Sequence, residues 1–177
     1  MPRLKTLTAV IAVFLLTSSI AQAQWRKDGK PIEDAPERKS MGVFGGHLIV
    51  VKDPRKFIED WQKPETPRID PVTEVKRGEV VGAVVLFAGC KPDAQGTCNS
   101  EVDYFFYRPD GTLYDERKAQ PLWKDQAPPT TNIQLSQAVL GIRIEKDDPP
   151  GEYKIKAKVS DLNAAISFEL ETKIRVK

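Results

Sequence analysis

Ile166-Ser167-Phe168-Glu169-Leu170-Glu171-Thr172-Lys173-Ile174-Arg175-Val176 alternates for its whole length. Ile166, Phe168, Leu170, Thr172, Ile174 and Val176 share one parity, while Ser167, Glu169, Glu171, Lys173 and Arg175 share the other. Successive side chains of a strand point to opposite faces, so this period of two specifies a strand with one buried and one wet face. Upstream, Tyr153, Ile155, Ala157 and Val159 alternate with Lys154, Lys156 and Lys158 in the same way. Asp161-Leu162-Asn163 between the two runs is a turn, so they form a hairpin. Its outer face sets the three lysines opposite Glu169 and Glu171, which fixes register at tenths of a kcal/mol per pair. Burial contributes more, about 1.5–3 kcal/mol for each of Ile155, Val159, Phe168, Leu170 and Ile174 before entropy is charged.

Further upstream, Leu140, Ile142 and Ile144 alternate with Gly141, Arg143 and Glu145, and Asn132 to Gln137 alternates through Ile133 and Leu135. Val80 to Phe87 has no polar side chain on either parity and reads as a central strand covered on both faces. Glu101 to Tyr107 is a strand that turns at Pro109-Asp110-Gly111 into Thr112-Leu113-Tyr114. Residues 115 to 130, with Trp123 and Pro128-Pro129, read as a long polar connection. Val72 to Val75 is a short strand. Val43 to Val51 is another, in which Gly45-Gly46 marks a bulge or a close backbone approach. Asp53-Pro54 caps a helix over Pro54 to Gln62 whose Phe57, Ile58 and Trp61 form one apolar stripe. Lys63 to Pro71 is a linker.

Short strands with turns every 8–15 residues describe two antiparallel sheets packed face to face. The words Asp148-Pro149-Pro150-Gly151-Glu152-Tyr153 and the strand that follows resemble an immunoglobulin-like or fibronectin type III-like module over residues 72 to 177. That resemblance implies a tyrosine corner made by the hydroxyl of Tyr153. The fold class is therefore an all-β, antiparallel immunoglobulin-like sandwich with one short N-terminal helix. Its domain covers residues 41–177, with a core at 72–177 and an added strand and helix at 41–62. The superfold itself is silent on function.

The N-terminus reads as a secretory signal. Arg3 and Lys5 precede an apolar core, Leu7 to Leu16, and Ala21-Gln22-Ala23 offers small residues where signal peptidase inspects them. The core is about half the length a spanning helix needs. Cleavage after Ala23 would remove residues 1–23 and leave 24–40 as a flexible polar arm. The loss of Arg3 and Lys5 leaves 25 basic residues against 25 acidic. So balanced a surface gives no field to gather nucleic acid or anionic lipid. The expected compartment is the periplasm, with release from the cell as the alternative. There Cys90 and Cys98 have only one intramolecular pairing and should be bridged, worth about 2–3 kcal/mol for so short a loop.

No catalytic, cofactor or metal constellation stands out. His47 is the only imidazole, and Glu145, Asp147, Asp148 and Glu152 are acids of a turn. Neither supplies a convincing zinc or calcium set, no cofactor motif is present, and no two carboxylates are singled out for hydrolysis. What exceeds the needs of a bare fold is aromatic. Tyr104-Phe105-Phe106-Tyr107 must divide its rings between two faces, so Phe105 and Tyr107, with Tyr114 and Trp123, form the candidate binding surface. The expected function is a non-enzymatic exported module that binds another envelope or secreted protein. A carbohydrate-binding module is the alternative, and a hydrolase using carboxylates distant in sequence stands behind it.

Overall fold

The computed structural model describes residues 25–27, 30–65 and 67–177; the signal read over residues 1–23 lies outside them. In chain order the described elements begin with β1 (Arg26–Lys27), β2 (Lys30–Pro31), β3 (Arg38–Met41), β4 (Phe44–Val51) and α1 (Pro54–Trp61). There follow β5 (Glu74–Val75), β6 (Val80–Ala88), β7 (Ser100–Tyr107) and β8 (Leu113–Trp123). The last are β9 (Gln134–Leu135), β10 (Leu140–Arg143), β11 (Gly151–Asp161) and β12 (Ile166–Val176). They make an immunoglobulin-like, mainly antiparallel sandwich. One sheet runs β10-β6-β4-β3 with β9 also on β6, and the other runs β5-β12-β11-β7-β8. Among the described strands β5 alone pairs in parallel, with β12.

The hairpin that decides the fold is unbroken from Gly151↔Val176 to Asp161↔Ile166. Tyr153, Ile155, Ala157, Val159, Leu170 and Ile174 are all fully buried in the space between the sheets. Facing them are Phe44, Leu48 and Val50 of β4 and Val81, Ala83, Val85 and Phe87 of β6. The opposite parity of these two strands, Ile49, Val51, Val84 and Leu86, forms a second apolar cluster on the outside of the first sheet. There Phe57, Ile58 and Trp61 of α1 cover it, as the one-sided stripe requires. Asp53 caps the helix by accepting from Lys56 N at 3.0 Å.

Two glycines make these layers fit. A Cβ on Gly46 would stand 3.1 Å from both Leu170 and Phe168, so Gly46 is the close-approach site between the sheets, and the ladder through it is regular, without a bulge. A Cβ on Gly82 would lie 2.6 Å from Pro54, the first residue of α1. The helix thus starts directly on the backbone of β6.

Three sequence expectations need correction. Residues 115–130 are not a loop throughout, because Leu113–Trp123 is an eleven-residue strand at the sheet edge. Its register with β7 shifts in three places, and Ala119 has φ 51°, which erases the alternation a regular strand would show. Residues 24–40 do not read as a free arm where they are described. β3 pairs with β4 from Arg38↔His47 to Met41↔Phe44, and Trp25 is 7% exposed in the outer cluster. The expected strands Val72 to Val75 and Asn132 to Gln137 shrink to two residues each. Cys90 and Cys98 form the expected bridge, with Cα atoms 6.0 Å apart.

Gly82→Ala is expected to cost about 1–3 kcal/mol in urea melts, because a rigid proline ring must move. Gly141→Ala, whose Cβ would meet open space, is expected to be neutral or slightly stabilising. Equal melts for the two would contradict the seating of α1 on Gly82.

Candidate binding surface

β7 divides its rings as strand geometry demands. Tyr104 and Phe106 are buried in the core, while Phe105 and Tyr107 are half-buried on the outer face of the second sheet. Register places Phe105 between Lys156 of β11 and Glu116 of β8, and Tyr107 between Lys154 and Leu113. Lys118 Nζ lies 6.0 Å from the Phe105 centroid. Beside Tyr107 is a hollow of about 470 Å³ bounded by Arg108, Pro109, Lys154, Lys156 and Lys173. Lys154 sits directly opposite Lys173, a like-charged pair relieved by Glu171, 3.7 Å from Lys154, and by Glu152, 2.8 Å from Lys173. Exposed pairs of this kind are worth at most about 1 kcal/mol. They make this a solvated, charge-mixed face with two aromatic rings in it. α1 lies on the other sheet and covers none of it.

Tyr114 and Trp123 do not join Phe105 and Tyr107. Tyr114 points inward, its ring edge-on to Phe106 at 5.2 Å and Tyr153 at 6.3 Å. Its hydroxyl donates to Asp148 Oδ2 at 2.5 Å, and the Arg108 guanidinium lies 4.2 Å from its ring centroid. Asp148 also accepts from Glu145 N, so the β7–β8 hairpin is tied to the turn before β11. Tyr153 closes the same end, its side chain fully buried and its hydroxyl donating to Pro149 O at 2.8 Å. Trp123 packs on Phe87 with centroids 5.8 Å apart and donates from Nε1 to Gln126 O. The register shifts of β8 move side chains from one face to the other, which sequence parity cannot follow, and so these two half-buried rings pack on the core instead of joining Phe105 and Tyr107 on one face.

The remaining ionisable groups are held in structural contacts. His47 lies half-buried on the outside of the first sheet, 5.7 Å from the Trp25 ring. Burial holds its pKa below the ordinary imidazole value, helped by the Arg38 charge and opposed by Glu37. It has no hydrogen-bonded partner of the kind a general base needs among the described residues. Nor does any group of three or more His, Cys, Asp or Glu side chains there stand ready to hold a metal ion. Asp161 matters more than its place in a turn suggests. Fully buried, its carboxylate accepts from Lys91 N at 2.7 Å, Asn163 N at 3.1 Å and Ala164 N at 3.2 Å. Asn163 Nδ2 donates to Lys91 O and Thr97 O. The disulfide loop is thereby fastened to the β11–β12 turn. An Asp-x-Asn turn is visible in the sequence, but its distant partners are not.

The Tyr114–Asp148 bond has a pH signature. Hydrogen bonding to the carboxylate, then burial, pushes the Tyr114 phenol up to about 12. The folded value lies above the unfolded one, near 10, so the contribution is complete below pH 10 and is lost as pH rises through 12. Tyr114→Phe is expected to cost about 1–2 kcal/mol in urea melts at pH 7, with the gap to wild type narrowing above pH 10. No gap at pH 7 would refute the bond.

No family model matches the sequence, and no curated protein matches it. Among solved structures, the chain is similar to the CARDB domain of the PF1109 protein from Pyrococcus furiosus, solved with di-metal ions. The identity is 14%, 75% of this chain and 89% of that one are covered, and the TM-score is 0.37. It is also similar to a family 123 glycoside hydrolase from Clostridium perfringens, at 11% identity and TM-score 0.39. There the overlap covers 75% of this chain but only 27% of the hydrolase. A Niemann-Pick type C2 protein from the Japanese carpenter ant matches at 10% identity over 73% of this chain and 89% of that one, with a TM-score of 0.41. Superpositions this loose carry nothing about what the chain does.

Proposed function

We propose that this chain is exported to the periplasm and acts there as a non-enzymatic module that binds another exported protein. The surface assigned to the partner is the outer face of β8, β7, β11 and β12. One observation supports the reading most: Phe105 and Tyr107 are only half-buried, side by side, on a face that α1 does not cover. The first sheet's comparable apolar area lies beneath α1 and Trp25. Two rings two residues apart on a strand are about 7 Å from each other. They offer rigid contact area at low entropic cost, and the surrounding lysines and glutamates supply a polar rim.

The test places a photoreactive residue at 105, at 107 and, for comparison, at 57 in the exporting cell. A specific protein adduct at 105 and 107 but not at 57 is expected, on a chain that begins at Gln24. Phe105→Ser with Tyr107→Ser should abolish capture while the variant stays folded in urea melts, at a cost of about 1–3 kcal/mol from the lost cross-strand contacts. A glycan adduct instead of a protein would transfer the role to carbohydrate binding. Capture unchanged by the double substitution would overturn the assignment of this face.

A further inference from the structure

The outer face of the β11–β12 hairpin pairs its charges by opposite sign at every charged rung but one. Glu152 faces Arg175, Lys156 faces Glu171 and Lys158 faces Glu169. Lys154 faces Lys173, and on its other side it faces Tyr107. Like charges directly opposite each other destabilise a sheet. A local rule kept along a hairpin and broken at one rung points to function at that rung. It is the lysine rung that borders the hollow of about 470 Å³ beside Tyr107.

Charge is unbalanced in the hollow, although the wider face is mixed. Arg108, Lys154, Lys156 and Lys173 line it against one carboxylate, Glu152. Lys173 is the closely paired cation, 2.8 Å from Glu152. Lys154 stands 3.7 Å from Glu171, and Lys156 stands 3.9 Å from Glu169 and Glu171, beyond hydrogen-bond reach. Arg108 is the fixed member of the set. Its guanidinium lies over the Tyr114 ring, and Nη1 donates to Leu113 O at 3.3 Å. Its Nε is 3.9 Å from Asp148, a carboxylate already engaged by the Tyr114 hydroxyl and Glu145 N. A guanidinium held by its neighbours presents a planar fork that suits a carboxylate, with less freedom left to lose on binding.

We infer that this hollow is an anion site that receives an aspartate or glutamate side chain from an acidic segment of the partner protein, an inference that rests on the proposed binding face and names the chemistry that face selects. Four cations around one carboxylate complement a negative ligand. Tyr107 is half-buried between Lys154 and Leu113, which leaves less than a whole ring face for a sugar to stack on. A carboxylate needs only the donors. Residues flanking it in the same segment reach Phe105, one rung further along β7 beside Lys156.

The probes are hexaglutamate and hexaglutamine with blocked ends, titrated into the purified protein at physiological salt and followed by amide NMR shifts. Hexaglutamate is expected to shift Tyr107, Arg108, Lys154 and Lys173 saturably, and hexaglutamine to shift none of them. Lys154→Gln with Lys173→Gln should weaken binding about tenfold, as the loss of two exposed charge contacts, without lowering the urea midpoint. Lys91→Gln with Lys158→Gln makes the same change of charge at exposed positions outside the hollow and should leave binding unchanged. No saturable shift, equal loss in both double variants, or a midpoint that falls together with binding would overturn the inference. Tighter binding of inorganic phosphate or of trigalacturonate at the same amides would overturn the stated source in favour of a free anion or an acidic glycan. Photocapture at residue 105 separates the anion site from the binding face. An adduct that persists undiminished in Lys154→Gln with Lys173→Gln leaves the face standing and overturns the anion site. No adduct in the cell, with hexaglutamate bound as expected, supports the anion site and overturns a protein as its source.

Discussion

β6 has no face it can show to water. Each side chain from Val81 to Ala88 is buried, and the two parities go to different clusters. A strand apolar on both sides requires two covers. The period-two hairpin of β11 and β12 supplies one, since it has a single buried parity to offer. The second cover has to come from elsewhere in the chain, and it consists of α1, Trp25 and the residues around Ile32 and Ile69. Much of what looks accessory in the sequence is therefore a consequence of β6. The capped helix has a surface to lie on, the glycine at 82 admits its first turn, and Trp25 is drawn in beside His47.

The same constraint leaves the two outer faces unequal. With the helix and Trp25 committed to the first sheet, and only the segment at Pro36 reaching β12, the outer face of β7 and β11 keeps no such cover, and the odd-numbered β7 rings remain half-buried. Ends and edges are treated separately. The end holding Tyr153, Tyr114 and Asp148 is locked by short hydrogen bonds, and the opposite end by the disulfide loop fastened to Asp161.

Legibility in the sequence follows the share of stability carried by side chains. β6, β10, β11 and β12 announce themselves because burial of alternate residues fixes their pattern, and the split of Tyr104 and Phe106 from Phe105 and Tyr107 follows from the same rule. β8 is hidden because an edge strand with shifted register and exposed charges has no such pattern. β3 and the segment around Pro36 are hidden for a related reason: they join through backbone groups, which no residue type advertises. At the candidate site, Phe105 and Tyr107 are legible, whereas the irregularity of β8 conceals where Tyr114 and Trp123 point.

One sheet is covered on its outer side by α1 and Trp25 and the other is not, and the proposed binding face rests on that asymmetry. Hydroxyl-radical footprinting of the purified protein tests it directly, with each side chain's rate normalised to the unfolded chain. Strong protection of Trp25, Ile49 and Leu86 is expected, with rates at Phe105 and Tyr107 within a few-fold of the unfolded values. Protection of Phe105 and Tyr107 equal to that of Tyr104 and Phe106, or labelling of Trp25 and Leu86 at unfolded rates, would contradict it.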